Sequence, residues 1–110
     1  MRQAYAHDAV LELAPNADLD APGAAVTTEL CGHWEHQPPC PVAPHHTGAR
    51  REGSAVRLRI LFATEPDREH EVRTRIGRAL AAGWDVRSCT TGLLQPDEQA
   101  HAGRLVASPS

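Results

Sequence analysis

The strongest constraint on the fold is a short stretch of alternating residues in the middle of the 110-residue chain. Apolar residues occupy the even positions from Val56 to Phe62, and arginines occupy positions 57 and 59. Because successive side chains of a β-strand point to opposite faces, this pattern makes one face apolar and the other polar. It predicts a strand from Val56 to Thr64 that is buried on one side only.

A helix is predicted directly after this strand. Thr64 is a suitable cap, Pro66 suits the first turn, and acidic residues at 67, 69 and 71 favour the helix start. Val72, Ile76 and Leu80 then recur at helical spacing, which gives the helix one apolar face. Gly83 is a typical stop signal, so the helix is expected to end near residue 82.

The remaining elements have weaker patterns. Residues 24–34 contain β-branched residues, and Val26, Thr28 and Leu30 would share one face of a strand. A third strand is predicted from residue 84 to about 90, and a second helix from about 96 to 106. Residues 35–55 are predicted to be a long loop. Residues 1–23 are interpreted as a loosely packed arm, and residues 108–110 as a tail.

These elements together predict the α+β class. Two strands joined by a crossover helix usually run parallel with a right-handed connection, whereas the first strand would pair antiparallel with the second. We therefore expect a single domain from 24 to 107, with a small mixed sheet of three or four strands. One or two helices would cover one face, in the order strand, loop, strand, helix, strand, helix.

The most unusual segment is residues 31–46, which hold two of the three cysteines and four of the seven histidines. Thiolate sulfur and imidazole nitrogen are the donors that zinc prefers, and a structural site needs four of them. We predict zinc, or another divalent transition metal, as a cofactor. The spacing matches no standard zinc motif, and a solvated histidine-rich loop remains the alternative. The candidate ligands are His33, His36, Cys40 and His45, with Cys31 and His46 in reserve.

Three functions follow from such a loop. The first is a small metal-binding protein whose loop is structural or binds a protein partner. The second is a metalloenzyme with a histidine-rich open site, in which Glu35 is a weak candidate for a general base beside a metal-bound water. The third is a thiol redox protein that uses Cys31 and Cys40. The sequence does not decide whether the protein is an enzyme, nor its oligomeric state.

Composition excludes other classes. The net charge is −3, no basic run is longer than Arg50-Arg51, and aromatic residues make up 4% of the chain, so nucleic-acid binding is not expected. No apolar stretch is long enough for a membrane span or a signal peptide, which predicts a cytoplasmic protein. All eleven basic residues are arginine, a bias typical of bacteria with GC-rich genomes.

Overall fold

The computed structural model describes residues 2–31 and 45–107. Short 3-10 turns at Pro66–Arg68 and Pro96–Glu98 lead into the second and third helices. Seven longer elements follow one another in the described ranges: β1 Gln3–Glu12, α1 Ala21–Cys31, β2 His45–Glu52, β3 Ala55–Thr64, α2 Glu69–Gly83, β4 Val86–Gly92 and α3 Gln99–Ala107.

The four strands form one sheet in the order β2-β3-β1-β4. All neighbouring strands are antiparallel. Since β3 and β4 both run antiparallel to β1, they point the same way with β1 inserted between them. This is a split β-α-β arrangement, and the first six elements, β1 to β4 with α1 and α2, follow the order of ferredoxin-like folds. The predicted α+β class is confirmed, but the sheet is not mixed, because the parallel strands of the crossover are not neighbours.

The N-terminal segment is the largest correction to the sequence-based description. Residues 3–12, interpreted as part of a loose arm, form β1 at the centre of the sheet, paired with both β3 and β4. Ala9 and Leu11 are fully buried. The strand is hard to recognise because its inward positions hold an alanine and the polar His7, so the alternation carries little hydrophobic contrast.

The predicted strand at 24–34 is also wrong where the structure describes it, because residues 21–31 form helix α1. Val26 and Leu30 are both fully buried. Their spacing of four places them on one helix face as well as on one strand face, so the pattern fits both structures. Packing on the sheet then overrides the weak preference of Thr27 and Thr28 for strands.

The long loop predicted for residues 35–55 is wrong in its second half. Residues 45–52 form β2, which pairs with β3 in an unbroken register from His45 opposite Phe62 to Glu52 opposite Ala55. Gly53 and Ser54 connect the two strands, and Gly53 has a φ of 65°, a backbone conformation that glycine adopts readily. Residues 35–44 of that predicted loop, and the tail at 108–110, lie outside the described residues.

The main core lies between the sheet and the pair α1 and α2. Val72, Ile76 and Leu80 of α2 are fully buried in it, as the helical spacing predicts. The even-numbered apolar residues of β3 are buried on the same side. A smaller cluster on the opposite face joins α3, through Leu105, to Leu61 and Ala63. Helices therefore cover both faces, whereas the sequence predicted one. In the described ranges, no helix combines the length and apolarity needed to cross a membrane.

Candidate functional site

Helix α1 lies unusually close to the edge strand β2. A Cβ atom built on Gly23 would come within 2.8 Å of the Thr47 hydroxyl oxygen, so a glycine is what allows this approach. Four residues further along α1, the Thr27 hydroxyl lies 3.0 Å from Nε2 of His45 and is hydrogen-bonded to it. The helix is thus attached to the beginning of β2.

A groove of about 260 Å³ remains between α1 and β2, and we refer to it as the α1–β2 groove. Most of its lining residues are apolar or small, and Thr27 and Thr47 are the uncharged polar ones among them. Among the described lining residues, Asp20 is the one with an ionisable side chain. The groove can therefore hold an apolar group with one polar end. Its lining includes Leu19, Ala24 and Thr27 on the helix side, and Thr47, Ala49 and Leu58 on the sheet side.

The groove lies beside a sheet edge that has no partner strand in the described part of the chain. Strand β2 pairs with β3 alone, and its eight residues keep one register throughout. The other edge strand, β4, differs because its register against β1 shifts between Val10 and Leu11 and leaves Arg87 as an extra residue. A bulge of this kind disfavours the addition of another strand. Of the two edges, β2 is therefore the regular one.

A buried polar cluster joins α2 to β1 elsewhere in the fold. Nη1 of Arg73 lies 3.1 Å from Nδ1 of His7 and donates to the Ala6 carbonyl at 2.8 Å. Because a guanidinium has no acceptor, Nδ1 must accept and the His7 proton sits on Nε2. That nitrogen has no hydrogen-bond partner among the described residues, and His7 is 4% exposed. Burial, followed by the charge of Arg73, lowers the pKa of His7. The ring is enclosed, so the cluster serves packing rather than ligand binding.

A second polar cluster anchors the C-terminal helix on the opposite face of the sheet. Arg59 pairs with Asp8 on β1 and with Glu98 in the turn before α3. It also donates a hydrogen bond to the Leu93 carbonyl. These contacts hold the pKa of Glu98 at about 2, chiefly through the hydrogen bonds from Arg59. Each charged group in this cluster already has a partner within it. The cluster therefore stabilises the position of α3 on the sheet.

The candidate metal ligands that the structure describes do not converge. His45 and His46 are neighbours on β2, so their side chains point to opposite faces of the sheet. The His45 ring is hydrogen-bonded to Thr27, while the ring of His46 lies against that of His101, with centroids 4.3 Å apart and planes tilted by 43°. Cys31 is the last residue of α1 rather than part of a strand. His33, Glu35, His36 and Cys40 lie outside the described residues.

The prediction of a metal-binding function is therefore wrong for the part of the chain that the structure covers. In residues 2–31 and 45–107, no group of three or more His, Cys, Asp or Glu residues is placed to hold a metal ion. For the described residues this finding contradicts the metal-binding function in both its forms, the structural loop and the open metalloenzyme site, whereas the choice of His33, His36 and Cys40 as ligands stays a prediction. The redox alternative also lacks support, since the described residues contain no disulfide and the described thiol, Cys89, is free. Zinc as a cofactor stays an untested prediction.

No family model, curated protein or solved structure matches the chain. No activity or partner can therefore be carried over from a relative. The α1–β2 groove and the regular edge beside it are the features of the structure that bear on function.

Sequence reasoning missed this site for two separate reasons. The groove depends on the approach of Gly23 to Thr47, two residues far apart in the chain, and no local pattern reports such a contact. The strand that forms its other wall had a usable signal: Gly53-Ser54 immediately before the alternating β3 segment is typical of a two-residue hairpin turn. The histidines and prolines around residues 36–46 favoured the prediction of a loop instead.

Proposed function

We propose that this protein is a small protein-binding module, and that its partner supplies an extended segment that adds to β2 as a further strand. The observation that carries the proposal is the position of the α1–β2 groove directly beside the regular edge of β2. In strand addition, main-chain hydrogen bonds supply affinity and pockets for alternate side chains supply specificity. The edge of β2 offers the main-chain hydrogen bonds, and the groove offers the pocket for a side chain.

The geometry of a β-sheet links the two features. Residues that face each other on neighbouring strands place their side chains on the same side of the sheet. Thr47 and Ala49 both line the groove. A partner residue opposite either of them would direct its side chain into the groove, and the next residue of the partner would direct its side chain to the other face.

The edge itself supports the same proposal. Proteins commonly protect exposed edges with charged side chains, proline, bulges or very short strands. Strand β2 is eight residues long, has a continuous register and contains no proline, and its charged residues, Arg50 to Glu52, lie together at its C-terminal end, beyond Ala49. Its Gly48 and Ala49 are exposed, so small side chains stand where a partner would approach. An interface of one strand and one side chain is small, which favours weak and reversible binding.

The test begins with random peptides of about ten residues displayed on phage, long enough to span β2. Peptides enriched on the immobilised protein are synthesised and their affinities measured by calorimetry. Ala49→Trp fills the mouth of the groove from an exposed position and should weaken binding at least about tenfold, since it blocks the inserted side chain. Ser88→Trp, an exposed site on the opposite edge strand, is the matched control and should leave affinity unchanged.

Two results would overturn the proposal. One is a selection in which no peptide is enriched over a surface without protein. The other is a peptide that binds Ala49→Trp as tightly as it binds the Ser88→Trp control, because such a peptide would be using another surface.

A further inference from the structure

We infer that the side chain inserted into the α1–β2 groove is a lysine or an arginine whose charged end pairs with Asp20. This inference rests on the proposed strand addition and names the chemistry of the partner at one position. It follows from the combination of an apolar lining with a single carboxylate among the described lining residues.

Asp20 is held firmly at the start of α1. Its backbone N–H donates to Oδ1 of Asp18 at 2.9 Å, and its carbonyl accepts from the N–H of Ala24 at 3.0 Å. These contacts place Asp20 at the N-cap position of the helix. The backbone is therefore fixed while the residue as a whole remains exposed. None of the ion pairs between described residues uses its carboxylate.

A basic side chain matches the groove along its whole length. Lysine and arginine carry an apolar stem that covers apolar surface while the charged end stays at a polar site. The stem would lie against Leu19, Ala24 and Leu58, and the charged end would reach Asp20. The groove, at about 260 Å³, has room for a long side chain of this type.

The other side-chain classes fit less well. An apolar side chain would remove water from near the Asp20 carboxylate without providing a partner, which is unfavourable. An acidic side chain would be repelled by it. The dipole of α1 places about half a positive charge at the helix N-terminus, which repels a cation. The full negative charge of Asp20 is larger and closer to the inserted group, so attraction dominates. The net charge of −3 also favours a basic partner.

The experiment uses the highest-affinity synthetic peptide from the phage selection. Three versions of this peptide carry lysine, methionine or glutamate at the inserted position. That position is the one whose large side chain Ala49→Trp excludes from the groove. Binding of each version to the unmodified protein is measured at low salt. We expect the lysine version to bind most tightly and the glutamate version most weakly. This comparison of peptides needs no protein variant, so a folding defect cannot affect its result.

A protein variant isolates the ion pair. Asp20→Asn removes the charge, and asparagine caps a helix as well as aspartate does. Asp18→Asn removes the same charge two residues away, outside the groove lining, and its side-chain oxygen can still accept the Asp20 N–H. Asp20→Asn should weaken binding of the lysine version roughly two- to fivefold, the range for a partly exposed ion pair. Asp20→Asn should not weaken binding of the methionine version, because that version has no charge to pair and loses only an unfavourable neighbour. The Asp18→Asn control should bind the lysine version as tightly as the unmodified protein does.

The outcomes separate this inference from the function it rests on. If the peptides bind at β2 but methionine is preferred over lysine, or if Asp20→Asn has no effect on the lysine version, the inference is overturned and strand addition stands. If no peptide is selected, or if Ala49→Trp does not weaken binding, both fail together.

Discussion

Arg59 on β3 holds Glu98, which lies 39 positions later in the chain, by two parallel hydrogen bonds. Nε donates to Oε2 at 3.0 Å and Nη2 donates to Oε1 at 2.7 Å. This two-point geometry is the strong form of a guanidinium–carboxylate pair. It joins the turn before α3 to the centre of the sheet.

The first prediction concerns removal of that guanidinium. Arg59→Gln leaves Asp8 and Glu98 without their cation and should destabilise the protein by about 1 to 2 kcal/mol, a range lowered because the groups are partly exposed. Amide exchange in α3 should rise more than in α2. Arg57→Gln, on the same strand and half-exposed beside Glu52, is the control and should cost on the order of 0.5 kcal/mol or less. Equal effects of the two variants in denaturant unfolding would show that Arg59 is not the anchor.

The second prediction is a loss of stability in acid that depends on Glu98. Its pKa is about 2 in the folded protein, against an ordinary value of 4.5. A lowered pKa means that the unfolded state takes up its proton first as the pH falls. The stabilisation from Glu98 is therefore complete above about pH 4.5 and is lost progressively towards pH 2. Unfolding measured across this window should show a shallower pH dependence in Glu98→Gln, and an unchanged slope would contradict the prediction.

The third prediction concerns His7 at higher pH. Its pKa lies below the ordinary 6.5, because burial and then the charge of Arg73 disfavour the protonated ring, although Asp8 acts in the opposite direction. The unfolded chain therefore binds the proton more readily, so the contribution of His7 is full above about pH 6.5 and falls as the pH drops below it. His7→Gln should flatten the stability profile just below pH 6.5. His70→Gln, at an exposed position on α2, is the control and should retain the wild-type slope.

The fourth prediction tests the main core. Ile76 is fully buried between α2 and the sheet, so Ile76→Ala should cost about 2 to 4 kcal/mol of unfolding free energy. Arg78→Ala, two residues later at an exposed position of the same helix, should have little effect. An Ile76→Ala protein with an unchanged melting temperature would mean that the helix packs elsewhere.

The elements that could be predicted from sequence are those in which the spacing of apolar residues matches the face that is buried in the fold. Strand β3 and helix α2 have strong apolar periodicity, and the structure confirms both within a few residues. Strand β1 was missed because His7 occupies a core position, where its neutral form is stabilised through Arg73 on another element. Helix α1 was predicted as a strand because the spacing of Val26 and Leu30 fits the period of a helix and the period of a strand equally well.

The candidate site was less predictable than the fold. The Cys/His segment drew attention by composition, but composition does not show the direction of side chains, and His45 and His46 point to opposite faces of β2. The groove arises from long-range contacts of Gly23 and Thr27 with β2. Such contacts become visible only when the fold is known.

The most direct test of strand addition is an NMR titration of the uniformly ¹⁵N-labelled protein with the selected peptide. The amide signals of Thr47, Gly48 and Ala49, together with those of Gly23 and Ala24, should shift most, and hydrogen exchange of the outward-facing β2 amides should slow on binding. Signals of β4, the opposite edge, should stay in place. Shifts that concentrate on β4 or on α3, with β2 exchange unchanged, would contradict the account.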